Sequence, residues 1–319
     1  MKTTSWIISF ILIGLLGISM YLLYENMGIE LPIIGTNQPV TFFPIEKNTQ
    51  TNPEPIVPTT VKQFYPRMRF PQKSISYEFD SGCTSKKQDE VLRAFAELQS
   101  KTVLEFYPAS TEAGIKITCS NLAPEPKLEG HFVAGEGGPT EIINTTLFAV
   151  ILEGKISLFR EEQCETPHIA LHEILHALGF DHTTNPASIL YPTLDCKQIL
   201  DNVISEEIDN IYKIKGAPDL IITNVNATKT GRYLNFNIEI SNQGLEKATG
   251  TILYVYADSN LAKEFDMEEI GLGTIKILKV ENLRIASNTN KIVFSVDEKN
   301  NIEEIYEDNN RVELALLNQ

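Results

Sequence analysis

Three histidines and one glutamate within a short stretch are the side chains of this sequence best suited to chemistry. They are His172, Glu173, His176 and His182. Residues four apart on a helix project from the same face, so His172 and His176 can reach one ion. Gly179 lets the chain reverse and return His182 toward the other two. Three neutral imidazoles leave one position of a tetrahedral zinc open for water, and Glu173 can take a proton from that water.

These side chains require a helix that begins shortly before His172. Thr166 is a candidate N-cap, and Pro167 suits the first helical position. Gly179 suits the left-handed residue after a helix C-terminus. The sequence therefore predicts a helix from Pro167 to about Leu178.

The pattern His-Glu-x-x-His-x-x-Gly-x-x-His resembles the zinc motif of the metzincin clan of endopeptidases. In the matrixin branch a Met-Tyr-Pro sequence follows the third histidine, and here Leu190-Tyr191-Pro192 follows it. The resemblance implies that Leu190 replaces the methionine of the turn beneath the metal. It also implies that Tyr191 and Pro192 form a wall of the substrate pocket. Leucine conserves the volume of methionine, so we expect the apolar floor of the site to persist.

The same resemblance covers about residues 72–216 and implies an edge strand that pairs with an extended substrate. Phe132 to Ala134 lies in a glycine-containing region and is our candidate for this strand, with a mobile surface loop as the alternative. Apolar periodicity around this region predicts strands at 74–79, 104–107, 115–119 and 155–159, and helices beginning near Ser85 and Ser205. We therefore expect an α+β metzincin-like domain at residues 73–216, a mixed twisted sheet with three helices.

The N-terminal region predicts a membrane helix and then a linker. Residues 6–24 carry no charge and are long enough to cross a bilayer, with Lys2 on the cytoplasmic side. We place a transmembrane signal anchor at residues 1–24, with signal-peptide cleavage and secretion as the alternative. Residues 25–72 contain eight of the 16 prolines and little apolar periodicity, which predicts an extracytoplasmic linker.

The four cysteines all fall in the predicted protease domain. An even number in an exported chain indicates disulfides, and three pairings are possible. We prefer Cys83 with Cys119 and Cys164 with Cys196, because the second bond would bracket the metal helix and the turn at Leu190.

A change of composition at residues 216–218 begins a second domain, which we place at residues 217–319. Alternating apolar and polar residues with intervening turn signals predict an all-β immunoglobulin-like sandwich. Pro218-Asp-Leu-Ile-Ile-Thr, Ser241-Asn-Gln-Gly244 and Glu304-Ile-Tyr-Glu-Asp-Asn-Asn310 resemble the CARDB family of secreted and surface proteins. The acidic residues near the C-terminus raise the alternative of bound Ca2+, which their spacing does not support as an EF-hand loop.

Together these patterns predict a membrane-anchored, extracytoplasmic zinc metalloendopeptidase that acts on a protein or peptide substrate. One catalytic Zn2+ would be held by His172, His176 and His182, with Glu173 as the general base. The alternative is a surface adhesion protein with a degenerate protease domain, which only Leu190 favours. The formal net charge of -15 argues against a nucleic-acid partner, and the ligand of the C-terminal domain is not predicted.

Overall fold

The structure is a computed structural model that describes residues 39–44, 61–126 and 132–316. No helix among these residues is long and apolar enough to span a membrane. The expected membrane helix at residues 1–24 lies outside the described residues, as does most of the expected linker.

The described elements alternate strands and helices in the first half of the chain and are all strands in the second half. In chain order they are β1 (Val40–Pro44), β2 (Met68–Arg69), β3 (Ser74–Phe79), α1 (Ser85–Lys101), β4 (Glu105–Pro108), β5 (Ile115–Cys119), β6 (Gly135–Asn144), β7 (Ala149–Leu158), α2 (His168–Ala177), α3 (Asn202–Ile211), β8 (Leu220–Thr230), β9 (Tyr233–Asn242), β10 (Ala248–Ala257), β11 (Asn260–Ile270), β12 (Ile275–Arg284), β13 (Lys291–Val296) and β14 (Arg311–Leu316).

The first domain is built on a mixed sheet with the strand order β2-β7-β5-β3-β4. These five strands are parallel to their neighbours, and β6 pairs antiparallel with β7 along its length. Among the described strands β6 pairs only with β7, so it forms one edge of this sheet. The edge strand and the metal helix α2 lie in contact, which places the edge beside the predicted site.

The helices of this domain largely follow the apolar pattern of the sequence. Val91, Phe95 and Leu98 of α1 are buried in the core against the sheet. Leu92 is 43% exposed, because a period of 3.6 residues turns it away from the buried face formed by the other three. Helix α3 begins at Asn202 rather than near Ser205, since Asp201 caps it by accepting the N–H of Ile204 at 3.2 Å.

The second domain is an antiparallel β-structure, in agreement with the predicted fold class. Its eight strands follow the order β11-β10-β13-β14-β1-β8-β9-β12 and enclose one apolar core. The β6–β7 hairpin of the first domain packs on it through Phe148, Val150 and Leu245. The side-chain oxygen of Gln243 also accepts the N–H of Thr146 at 2.6 Å. The hairpin that carries the edge strand is therefore supported from the second domain.

Strand β1 belongs to this second sheet although it lies in the segment predicted to be a linker. It pairs antiparallel with β14 on one side and with β8 on the other. Phe42 is 4% exposed and forms part of the core, whereas its neighbour Phe43 is 45% exposed. A five-residue strand with one deeply buried side chain shows no detectable period, so β1 could not be predicted from apolar periodicity.

We expect Phe42→Ala to destabilise the second domain by about 3–5 kcal/mol, because it removes a buried aromatic side chain from a strand that is paired on both sides within the sheet. Phe43→Ala is the matched control and should change stability by less than about 1 kcal/mol. Chemical denaturation of the full chain, followed by circular dichroism, measures both. Equal effects of the two substitutions would show that β1 is not held in the sheet.

Candidate metal centre

Helix α2 places two of the three histidines and the glutamate in the interior. All ten of its residues are buried, and it begins one residue later than predicted, at His168. Pro167 is the N-cap and makes no side-chain cap bond, so Thr166 does not have the predicted role. Instead the carboxylate of Glu162 accepts the N–H of Ile169 at 2.9 Å, which satisfies one donor of the first turn.

Gly179 ends this helical segment in the conformation predicted for it. Its φ is +96°, a region that disfavours residues with a Cβ. A Cβ at this position would also lie 2.5 Å from Cγ of Met68. Glycine is therefore required both for the reversal of the chain and for its close approach to β2. The reversal brings His182 back toward α2.

The three predicted ligand histidines converge through their Nε2 atoms. Nε2 of His176 lies 2.9 Å from that of His172 and 3.1 Å from that of His182. The third separation, between His182 and His172, is 3.3 Å. A tetrahedral zinc ion with Zn–N bonds of about 2.0–2.1 Å needs nitrogens about 3.3–3.4 Å apart. The observed separations are close to this requirement.

Hydrogen bonds on the other ring nitrogens fix the chemistry of this cluster. Nδ1 of His172 is 2.6 Å from the carbonyl oxygen of Ile189, and Nδ1 of His176 is 2.7 Å from that of Phe180. A carbonyl can only accept, so each Nδ1 carries the proton and each Nε2 presents a lone pair. Facing lone pairs cannot hydrogen bond to each other. The arrangement of these nitrogen lone pairs therefore fits a cation bound between the rings.

The surroundings keep these imidazoles neutral. Burial lowers the pKa of His172 to about 3, with a further contribution from the neighbouring His176. Burial also lowers the pKa of His176 and that of His182, although His182 is less completely enclosed. Neutral imidazole is the form that binds a metal ion, so the site is ready to bind at neutral pH without releasing protons from these rings.

Glu173 is buried between the metal helix and the edge strand. Burial raises the pKa of its carboxyl group to about 8, and the negative charge of Glu136 adds to the shift. A nearby cation would favour the ionised form and act against both causes. A carboxyl group whose pKa lies near neutrality is suited to accept and return a proton.

Two glycines of β6 allow the edge strand to pass directly over Glu173. A Cβ on Gly135 would lie 2.9 Å from Oε1 of Glu173, and a Cβ on Gly137 would overlap the backbone oxygen of the same residue. Gly138 has open space at its Cβ position. The glycines at 135 and 137 thus let the strand enclose the carboxyl group, which explains its burial.

We expect Gly137→Ala to destabilise the first domain by about 1–3 kcal/mol, because the new methyl group must push β6 away from the backbone of α2. Gly138→Ala is the matched control, since its methyl group meets nothing within 4 Å. Thermal unfolding of the two variants beside the parent measures the difference. A Gly137→Ala variant as stable as the control would contradict the close packing of β6 on α2.

Leu190, which the resemblance places at the methionine position, lies in a turn whose backbone contacts His172. Leu190 is 1% exposed and belongs to the core of the first domain. The backbone N–H of Tyr191 closes the turn on the carbonyl oxygen of Ser188 at 3.1 Å. Within the same turn Ile189 supplies the carbonyl group that orients His172. The turn that contains the buried Leu190 therefore also orients His172, and the role of Leu190 as the apolar floor of the metal site stays a prediction.

A cavity of about 710 Å³ opens beside the N-terminal turn of α2. It is lined partly by Phe132, Ile169 and Leu194. Of the three candidate substrate-binding residues, Phe132 lines this cavity. Tyr191 is half-buried and Pro192 exposed, and neither lines the cavity; the residues that follow them, Leu194 to Cys196, do. The assignment of Tyr191 and Pro192 to a wall of the substrate pocket stays a prediction.

The segment Phe132 to Ala134 is not the edge strand that we expected. It precedes β6, which begins at Gly135. The carbonyl oxygen of Ala134 accepts the N–H groups of Phe159 and Arg160, at 2.9 and 3.1 Å. The edge strand therefore starts just after the predicted segment, because the glycines that follow it are those that fit against α2.

Two disulfides connect Cys83 to Cys119 and Cys164 to Cys196. The second lines the cavity and joins the segment before α2 to the segment after the Leu190 turn. His168 approaches Cys164 and Glu162 closely. These three are not a second metal site, because Cys164 is oxidised and Nε2 of His168 lies 2.8 Å from the carbonyl oxygen of Gln198.

Comparison with known proteins assigns both domains. A family model described as Matrixin matches residues 69–214, and a CARDB model matches residues 217–314. No curated protein matches the chain.

Similar solved structures include two of the CARDB domain of PF1109 from Pyrococcus furiosus, each 20% identical with a TM-score of 0.27. Each covers 31% of this chain; the match spans 94% of the domain in the solution NMR structure and 88% in a crystal structure with di-metal ions. A domain of a putative cell surface protein from Methanosarcina acetivorans is 17% identical, covers 32% of this chain and 94% of its own, and has a TM-score of 0.28. The chain thus contains a matrixin-like domain at residues 69–214 and a C-terminal CARDB domain at residues 217–314.

Proposed function

We propose that the matrixin-like domain is a zinc-dependent endopeptidase. The observation that supports this most strongly is the convergence of three Nε2 atoms within 3.3 Å of one another, with Glu173 on the same helix. His172, His176 and His182 would hold the ion. When bound, zinc polarises the scissile carbonyl and lowers the pKa of the attacking water to about 7.

Glu173 is the proton carrier in this proposal. Its carboxylate accepts the proton of the attacking water and passes it to the nitrogen of the leaving amine. The enclosure of Glu173 by β6 excludes bulk water from the carboxyl group, so the proton goes to the substrate rather than to solvent. The same enclosure holds the carboxyl group in place while the peptide bond of the substrate is broken.

The substrate would be an extended segment of a protein. Strand β6 offers backbone groups at the edge of the sheet beside Glu173, and such an edge recognises peptides through main-chain hydrogen bonds. The cavity between α2 and the segment from Leu194 to Cys196 would receive one substrate side chain, since cavities of this kind supply specificity.

The two disulfides support an extracytoplasmic location, because such bonds persist in oxidising compartments. We place both domains outside the cytoplasm, with the N-terminal segment as a membrane anchor. Membrane fractionation of the full chain, with sequencing of the mature N-terminus, tests this placement. A mature protein that begins beyond residue 20 would overturn the anchor.

Cleavage of an unstructured protein such as casein tests the proposed activity. We expect purified full-length protein to cut it, a chelator to abolish cutting, and added Zn2+ to restore it. Cleavage that is insensitive to chelation would contradict a zinc-dependent mechanism. Absence of cleavage in zinc-loaded protein would favour the alternative, a surface adhesion protein with a degenerate protease domain.

A further inference from the structure

A short segment that precedes the matrixin-like domain pairs with the turn after α2. We call residues 62–64 the bracing segment and residues 179–181 the metal turn. The centre of the pairing is an antiparallel bridge between Gln63 and Phe180. Backbone hydrogen bonds lie on both sides of the bridge, from Phe64 N to Gly179 O at 2.9 Å and from Asp181 N to Lys62 O at 2.8 Å.

One side chain of the bracing segment acts on the third zinc ligand. The ammonium group of Lys62 pairs with the carboxylate of Asp181. The same carboxylate accepts the backbone N–H of His182 at 2.7 Å. Lys62 therefore helps to fix the backbone from which the His182 ring projects.

The bracing segment also acts on the second ligand. Its bridge partner Phe180 provides the carbonyl oxygen that accepts the Nδ1 proton of His176. The ring centre of Phe64 lies 5.9 Å from the ring centre of His176. The bracing segment folds back on β2, because the amide of Gln63 bonds to both backbone groups of Met68, at 2.7 and 3.1 Å. A movement of this segment would thus disturb the carbonyl that orients His176.

We propose that Lys62 and Phe64 are positioning residues for zinc binding, although they lie before the residues matched by the matrixin model. The proposal rests on the zinc binding proposed above and adds that a segment outside the matrixin match raises the zinc affinity. Groups that orient metal ligands typically contribute 10–100-fold to metal affinity. Residues 62–64 are then part of the metal centre, and displacement of this segment would weaken zinc binding.

The test measures zinc affinity in the full chain by competition with a chromophoric chelator. We expect the double variant Lys62→Met, Phe64→Ala to bind zinc about 10–100-fold more weakly than the parent. Lys62→Met alone should show a smaller loss, and Lys62→Arg should retain most of the affinity because it keeps the ion pair. Lys247→Met is the matched control, since Lys247 is a lysine of similar exposure, 64% against 71% for Lys62, and pairs with the carboxylate of Glu269 in the CARDB domain.

A second readout separates positioning from general stability. The absorption spectrum of the Co2+-substituted protein reports ligand geometry, and we expect it to change in the double variant but not in Lys247→Met. Unchanged zinc affinity in both Lys62→Met and the double variant would overturn the proposal. So would an equal loss in Lys247→Met. A parent protein that binds no zinc would instead refute the proposed function itself, so the two failures are distinguishable.

Discussion

Replacement of Glu173 by alanine should reduce proteolysis by about 10²- to 10⁴-fold while zinc affinity changes little. This is the range that a positioned general acid–base group contributes. The expectation follows from the place of the carboxyl group: it is buried under β6 and belongs to the same helix as two ligands, yet its side chain is not one of the converging donors. The loss should appear in kcat rather than in binding of the substrate.

The matched control for this prediction is Glu136→Gln. Glu136 is exposed and is the neighbouring negative charge that raises the pKa of Glu173. Its removal should leave most of the activity and shift the pH profile modestly, because burial is the larger cause. Peptide hydrolysis and zinc content are measured on the same preparations. Full activity in Glu173→Ala would show that another group accepts the proton.

Replacement of His176 by alanine should weaken zinc binding by about 10²- to 10³-fold, the share of one ligand in the roughly 10–16 kcal/mol with which proteins hold structural zinc. His176 is the best-placed residue for this test, because its Nε2 is the closest to both other ligands. Proteolysis at micromolar zinc should fall with the affinity. Isothermal titration or chelator competition measures the change.

His168→Ala is the control for the ligand substitution. It lies one turn before His172 on the same helix and is equally buried, but its ring bonds to Gln198 and Thr166. We expect this variant to lose stability and to keep zinc affinity within a few-fold of the parent. A loss of affinity as large as that of His176→Ala would show that the two histidines contribute alike and that the ligand assignment is wrong.

The metal centre could be predicted from the sequence because its geometry is local. His172 and His176 are fixed by the period of one helix, and Gly179 marks the reversal by its backbone freedom alone. Even here Thr166 was misassigned as the cap. The carboxylate of Glu162 takes that role from outside the helix, and a distant cap leaves no signature in the first turn.

Other parts of the structure depend on contacts between distant segments and could not be predicted in the same way. The fit of Gly135 against Glu173 is visible only when β6 and α2 are brought together. The bracing segment pairs mainly through backbone groups, which any residue offers, so its sequence shows no pattern. Strand β1 inserts a single phenylalanine into a core formed by residues beyond 219. A short strand that pairs in the sheet of another domain is too short to show a hydrophobic period in the sequence.

The measurement that tests the account most directly is an anomalous difference map from crystals of the zinc-loaded protein, collected at the zinc absorption edge. We expect one strong peak in the first domain, about 2.0–2.1 Å from the Nε2 atoms of His172, His176 and His182. A map with no peak between these rings, or with the ion held elsewhere, would contradict the zinc centre and the proteolytic function that we derive from it.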